Sequence, residues 1–291
     1  MCSKLIKKSI YTILAFLILG SIMFYLYKNN KKNIRSISKI EITKKIVAIG
    51  GGDYKKDVTL TADQEMVRLS GKENPKLLFV PTGHSDDDKY CKDYLDYFQK
   101  KLHVKTDTLF LVKENPTIEQ IKEKVFNSDI VYISGGDTLF MIALWKTYGF
   151  DKILKEAWEK GIVLGGTSAG SICWFEGGHS DSLSFTNQKN WHYIIAPGLG
   201  FFKGINCPHF NTGTEGKLRI NDFKKRILET NKWGIATDEG CAIEFINDKF
   251  KIISYKETSN AYKVFKEGDA IKEVKIKKYE ELMPIEMLYQ K

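Results

Sequence analysis

Short apolar runs alternating with helix-patterned stretches restrict this chain more than any other feature. The runs are KIVAIGGG (45–52), KLLFVPTG (76–83), TDTLFLV (106–112), DIVYISGG (129–136) and IVLGG (162–166). Runs this continuous lack the apolar–polar alternation of a half-exposed strand, so both of their faces must be covered. The segments between them carry the covering helices: a stretch near 60–70, YCKDYLDYFQKKL (90–102), PTIEQIKEKVFN (116–127), and then TLFMIALWKTYG and FDKILKEAWEKG. This order predicts an α/β fold with a parallel sheet and helices on both faces. Beyond Gly204, INCPHF and WGIATDEGCAIEFI predict further strands around a helix in KLRINDFKKRILET, and KFKIISYKE, AYKVFKEG and AIKEVKIKK predict antiparallel edge strands.

Open α/β sheets bind ligands beyond the carboxyl ends of their strands. Six segments lie at such ends: GGGD (50–53), PTGHSDDD (81–88), SGGDT (134–138), GGTSAGS (165–171), CPHF (207–210) and TDEG (237–240). Residues 166–170, GTSAG, fit G-x-S-x-G between a strand and a helix. Small neighbours let the chain turn sharply enough to expose the Ser168 hydroxyl, and the next amide can help hold an oxyanion. Serine needs a base. Among five histidines, His209 closes the strand-like INCPH, whereas His84 sits in an acidic loop, His103 in a helical stretch, His192 after Trp191, and His179 eleven residues past Ser168. Strand-end placement favours His209. An acid should orient the imidazole, and spacing leaves two candidates, Asp181 in GGHSDS and Glu239 in TDEG.

Charge distribution removes one class of function. The net charge is +9, but residues 1–45 hold ten of the 45 Lys/Arg and one of the 36 Asp/Glu, so the rest is balanced at 35 of each. A neutral body lacks the charged face that nucleic-acid binding requires. The leader contains nineteen uncharged residues, 9–27, enough for a helix of ~28 Å against a hydrocarbon core of ~30 Å. The sequence therefore predicts a membrane anchor over 1–28, a basic linker over 29–43 and a catalytic domain over 44–291. Three basic residues precede the span and five follow it closely, which predicts a single-pass protein with its body on the cytoplasmic side. Five cysteines (2, 91, 173, 207 and 241) without a C-x-x-C pair fit a reducing compartment and argue against a disulfide framework or zinc ribbon.

SGGDT, GGTSAGS and CPHF, with TDEG behind them, resemble the aspartyl dipeptidase (peptidase E) family of serine peptidases, which includes cyanophycinase. The resemblance spans residues ~44 to ~255. It implies a flavodoxin-like fold similar to class I glutamine amidotransferases, with Ser168 as nucleophile and His209 as general base. Asp181 matches the family's third member by position, and the glutamate of cyanophycinase-like relatives keeps Glu239 open. Gly136 and Ala169 are implied as oxyanion donors. The implied function is a serine exopeptidase acting on dipeptides or short peptides with N-terminal aspartate, through an acyl-enzyme. A cyanophycinase-like peptidase and a non-peptidase, amidotransferase-like relative are the alternatives. Neither cofactor nor metal is expected, and the expected partners are a small peptide and the membrane, with a homodimer left open.

Overall fold

Sixteen strands are distributed over three sheets in the computed structural model, which describes residues 19–28, 42–230 and 232–291. Strands β1 (Lys45–Ile49), β2 (Lys76–Val80), β3 (Lys105–Thr108), β4 (Ile130–Ile133) and β5 (Val163–Thr167) pair in parallel in the order β3-β2-β4-β5-β1. The flavodoxin-like order is 2-1-3-4-5. Here β2 to β5 take its first four places, and the fifth belongs to β1. A second sheet is built around three parallel strands, β6 (Phe175–Ser180), β8 (Phe202–Cys207) and β11 (Gly234–Thr237). Its edges are antiparallel: β7 (Ile194–Pro197) on β6, and β14 (Ala261–Glu267) then β15 (Ala270–Lys275) on β11. The short hairpin β9 (Gly213–Thr214) and β10 (Lys217–Leu218) stands apart. Strands β12 (Cys241–Ile246), β13 (Lys249–Ser254) and β16 (Met283–Pro284) extend the first sheet antiparallel beyond β1. The parallel core and the antiparallel strands expected in the tail are both present, but the C-terminal strands divide between two large sheets, so the single parallel sheet is corrected to a mixed α/β arrangement.

Both faces of the first sheet are covered, as continuous apolar strands require. Val47, Ile49, Phe79, Tyr132 and Val163 pack on Ala62, Met66 and Leu69 of the helix Leu60–Ser70 and on Tyr94 and Phe98 after β2. The opposite side chains, Ile46, Leu78, Val80, Ile133 and Leu164, meet Met141, Trp145, Ile153 and Leu154 of the helices Thr138–Tyr148 and Phe150–Glu159. Each such fully buried side chain contributes ~1.5–3 kcal/mol relative to exposure. The second sheet shares this core, since Phe202 of β8 stacks on Phe245 of β12 with ring centroids 3.8 Å apart. That packing places the carboxyl ends of β1, β4 and β5 near those of β6, β8 and β11.

The leader corrects the membrane expectation. Residues 19–28, which hold the described part of that span, are helical and exposed. Among the described residues no helix is long and apolar enough to cross a membrane. The transmembrane helix over 9–27, the membrane partner and the single-pass, cytoplasmic-side location lose their structural basis. Residues 9–18 of that span, and 29–41 of the linker, lie outside the described residues.

Candidate active site

All six strand-end segments singled out in the sequence do lie at the carboxyl ends of strands. Five of the six proposed site residues line one cavity of about 310 Å³: Ser168, His209, Asp181, Glu239 and Gly136. The sixth, Ala169, follows Ser168 and is buried. His84, Phe185, Thr212, Thr214 and Arg219 complete most of the wall. A larger depression of about 560 Å³ is lined by Lys146, Lys152, Lys155 and Phe201 and contains neither a serine nor a histidine.

Ser168 sits at φ 58°, ψ −112°, between β5 and the single helical turn Ala169–Ile172. A positive φ is unusual for serine, costs about 1–3 kcal/mol and persists only where the surroundings enforce it. Here they do. The Ser168 amide donates to the Ile49 carbonyl at 3.1 Å, and its carbonyl accepts from the Ser171 and Ile172 amides at 2.8 and 3.0 Å. Gly170 explains its own identity, because a Cβ there would lie 2.3 Å from the Ile133 carbonyl oxygen. The elbow is therefore pressed against β4, and the turn after β4 is pressed against the elbow: a Cβ on Gly135 would stand 3.2 Å from that of Ser168.

His209 follows β8 with φ 53°, its amide donating to the Gly50 carbonyl at 2.7 Å. Its Nδ1 lies 2.9 Å from Glu239 Oε1. A carboxylate only accepts, so Nδ1 carries the proton and Nε2 is left with its lone pair. Glu239 also receives the Thr212 hydroxyl at 3.4 Å, and the hydrogen bond from His209 holds its carboxyl below the ordinary value against the opposing effect of burial. Its backbone is fixed from two sides: the Glu239 amide donates to Asn211 Oδ1 at 2.9 Å, and the Gly240 amide to the Gly51 carbonyl at 2.8 Å.

Asp181, the other candidate acid, has different partners. It receives the Thr214 hydroxyl at 2.6 Å and pairs with Arg219 Nη2 at 3.1 Å. Burial pushes its carboxyl up, but the Arg219 guanidinium and the Thr214 hydroxyl outweigh burial and hold it below its usual value. Arg219 is itself 3% exposed, donates to the His179 carbonyl at 2.9 Å and lies over the Tyr193 ring. His179 is buried and bonded to Asp222 Oδ1 at 2.8 Å, away from the cavity wall.

Sequence reasoning missed Arg219 and His84. Arg219 begins the helix Arg219–Thr230 with no motif around it, and His84 was masked by three neighbouring aspartates. The glycines of GGGD did carry a signal. Gly51 has φ +118°, and a Cβ on it would lie 2.2 Å from His209 Cε1, so this glycine makes room for the imidazole. Gly51→Ala should displace the ring by about an ångström, and a shift of that size costs roughly 100-fold in rate. Steady-state kinetics beside urea unfolding will separate that loss from a loss of fold.

The model of peptidase family S51 matches residues 46–253. An uncharacterized peptidase of Bacillus subtilis (strain 168), YgaJ, is 35% identical over 237 residues, which cover 79% of this chain and 96% of the relative. A peptidase from an acI-B1 actinobacterium superposes with a TM-score of 0.62 at 17% identity, over 84% of this chain and 98% of its own. A Listeria monocytogenes EGD-e protein described as peptidase E gives 0.55 at 17% identity, over 74% of this chain and all of its own. At these identities the two structures speak for the fold.

Proposed function

The chain belongs to peptidase family S51 and is a serine hydrolase, and from that premise we propose an exopeptidase that releases N-terminal aspartate from dipeptides and short peptides through Ser168, His209 and Glu239. One observation carries the assignment of roles: His209 shares the cavity with Ser168 and turns its other nitrogen to Glu239 at 2.9 Å. In this reading Ser168 Oγ attacks the carbonyl carbon while His209 Nε2 takes the hydroxyl proton. The Gly136 and Ala169 amides receive the oxyanion. Collapse breaks the C–N bond, with the proton on His209 passing to the leaving amine. Water then attacks the ester, gives its proton to His209, and Ser168 recovers its own.

Substrate choice follows from charge and size. The cavity, at about 310 Å³, lies at the small end of the ~300–1,000 Å³ span of ligand pockets, which suits a dipeptide better than a long chain. An N-terminal aspartate presents an ammonium and a carboxylate close together. The Asp181–Arg219 pair in the wall offers the two opposite charges side by side, so substrate can exchange one ion pair for two. We assign Arg219 to the aspartate side chain and Asp181 to the ammonium, and Glu239 alone to the base.

A dipeptide-library digest with the full chain tests the reading. Cleavage of Asp-X dipeptides over Ala-X, and release of free aspartate, is expected. Arg219→Met should raise KM for Asp-X by about 100-fold or more, as loss of a charged partner to a buried group costs roughly 2–5 kcal/mol, while Ala-X changes little. Equal turnover of Asp-X and Ala-X by the wild type would overturn the aspartyl preference and leave the peptidase assignment standing.

A further inference from the structure

The carbonyl of Gly135 and the amide of Gly136 belong to one planar trans peptide unit, in which C=O and N–H point in opposite directions. Whatever fixes that carbonyl therefore aims that amide. Two side chains converge on the oxygen: His84 Nδ1 at 3.0 Å and Ser134 Oγ at 2.9 Å. A carbonyl oxygen only accepts, so the His84 proton must sit on Nδ1. The imidazole is held in place by the Tyr90 ring, stacked at 3.7 Å between centroids and 12° between planes. Burial favours its neutral form, lowering its pKa against the opposing hydrogen bond to Gly135. Ser134 is fully buried. The Asp137 amide donates to the Gly83 carbonyl at 2.8 Å, which ties the loop bearing His84 to the turn bearing Gly136. That turn abuts Ser168 through Gly135, and the Gly136 N–H has no acceptor among the described residues.

We propose that His84 and Ser134 clamp the Gly135 carbonyl and so aim the Gly136 amide at the oxyanion that forms on the scissile carbonyl. The clamp rests on the reading of Ser168 as nucleophile and Gly136 as oxyanion donor. Both clamp residues are positioning residues, because they act through the peptide unit and not on the reacting atoms. Their contribution exists in the transition state, where the carbonyl oxygen gains charge, and hardly at all in the ground-state complex.

The test is steady-state kinetics on the best dipeptide with full-length wild type, His84→Ala, His84→Asn, Ser134→Ala and the His84→Ala/Ser134→Ala double variant. Rates of fluorophosphonate labelling and thermal midpoints are measured alongside. Deleting an oxyanion donor outright costs ~100- to 1,000-fold, so loosening its aim should cost about tenfold in kcat for His84→Ala, with KM within about twofold. Asparagine places an N–H donor close to the position of Nδ1, so His84→Asn should recover most of the loss. Ser134→Ala should lower kcat severalfold, and the double variant should exceed either single one. Should His84→Ala fail to fold, Ser134→Ala and His84→Asn carry the comparison.

A rise in KM with kcat unchanged would overturn the clamp and make His84 a substrate contact. Wild-type kcat in every clamp variant, with wild-type enzyme labelled at Ser168, would overturn the clamp alone. Undiminished turnover by Ser168→Ala would remove the nucleophile reading and the clamp together.

Discussion

Replacing Ser168 by alanine should lower dipeptide hydrolysis on the order of 10⁵-fold or more, with little change in the folded structure. The size of the loss follows from the reaction. Without the hydroxyl no acyl-enzyme forms, and only residual catalysis from the oxyanion amides and substrate binding remains. The small effect on folding follows from the geometry, because backbone atoms and not the hydroxyl hold the elbow: the Ser168 amide on Ile49, and its carbonyl on Ser171 and Ile172. The φ of 58° is retained as strain in the variant, for which alanine is no better suited than serine. Active-site titration with a fluorophosphonate, circular dichroism and turnover on the same preparation check all three parts. Hydrolysis that survives the substitution would return the serine to the role of a mere strand–helix turn.

The parts of the fold that could be read in the sequence are those whose strands are continuous apolar runs. β1, β2, β4 and β5 announce themselves because both of their faces are buried. β6 does not. Its sequence, FEGGHS, has two central glycines whose space is taken by neighbours: a Cβ on Gly177 would lie 2.6 Å from the Ala196 carbonyl oxygen, and one on Gly178 would lie 2.7 Å from the Asn206 carbonyl oxygen and Ile172. With no side chain to count, apolar patterning cannot detect such a strand, and without it the expected strands β8, β11, β14 and β15 were not seen to form a sheet of their own. The leader failed for the opposite reason. Hydropathy over 9–27 is a property of composition, whereas among the described residues no helix is long and apolar enough to cross a membrane.

The site divides along the same line. Ser168, His209 and the two glycine turns occupy strand ends, where sequence position predicts spatial convergence. The choice between Asp181 and Glu239 depended on which of two strands, β6 or β11, lies on the imidazole side of β8. β8 lies between them in the sheet, so sequence order could not decide. Arg219 and His84 remained hidden because each is brought to the site by a contact of tertiary packing: the guanidinium with Asp181 across 38 positions of chain, and the imidazole with the Gly135 carbonyl across 51.

Those two acids are separable by their kinetic signatures. Glu239→Gln keeps the size of the side chain but offers His209 Nδ1 an amide, whose nitrogen is a donor and whose oxygen is a weaker acceptor than a carboxylate. The imidazolium formed as Ser168 attacks then loses its compensating charge, and the ring can adopt the tautomer with Nδ1 unprotonated, which leaves no lone pair for the serine proton. An acid-to-amide exchange at the orienting position of such a constellation lowers kcat by as much as ~10⁴-fold, so a fall of roughly 10³–10⁴ is expected, with KM little changed. Asp181→Asn should act in the other direction. Its carboxylate touches Arg219 and Thr214, so its loss should raise KM for Asp-X severalfold to tenfold and leave kcat near wild type. Arg219 keeps the His179 carbonyl as an acceptor, but breaking a buried pair costs ~3–5 kcal/mol, so thermal midpoints must accompany the kinetics. If Asp181→Asn abolishes kcat and Glu239→Gln leaves it intact, the base is oriented from β6 in the working enzyme, and the 2.9 Å contact from β11 is not the catalytic one.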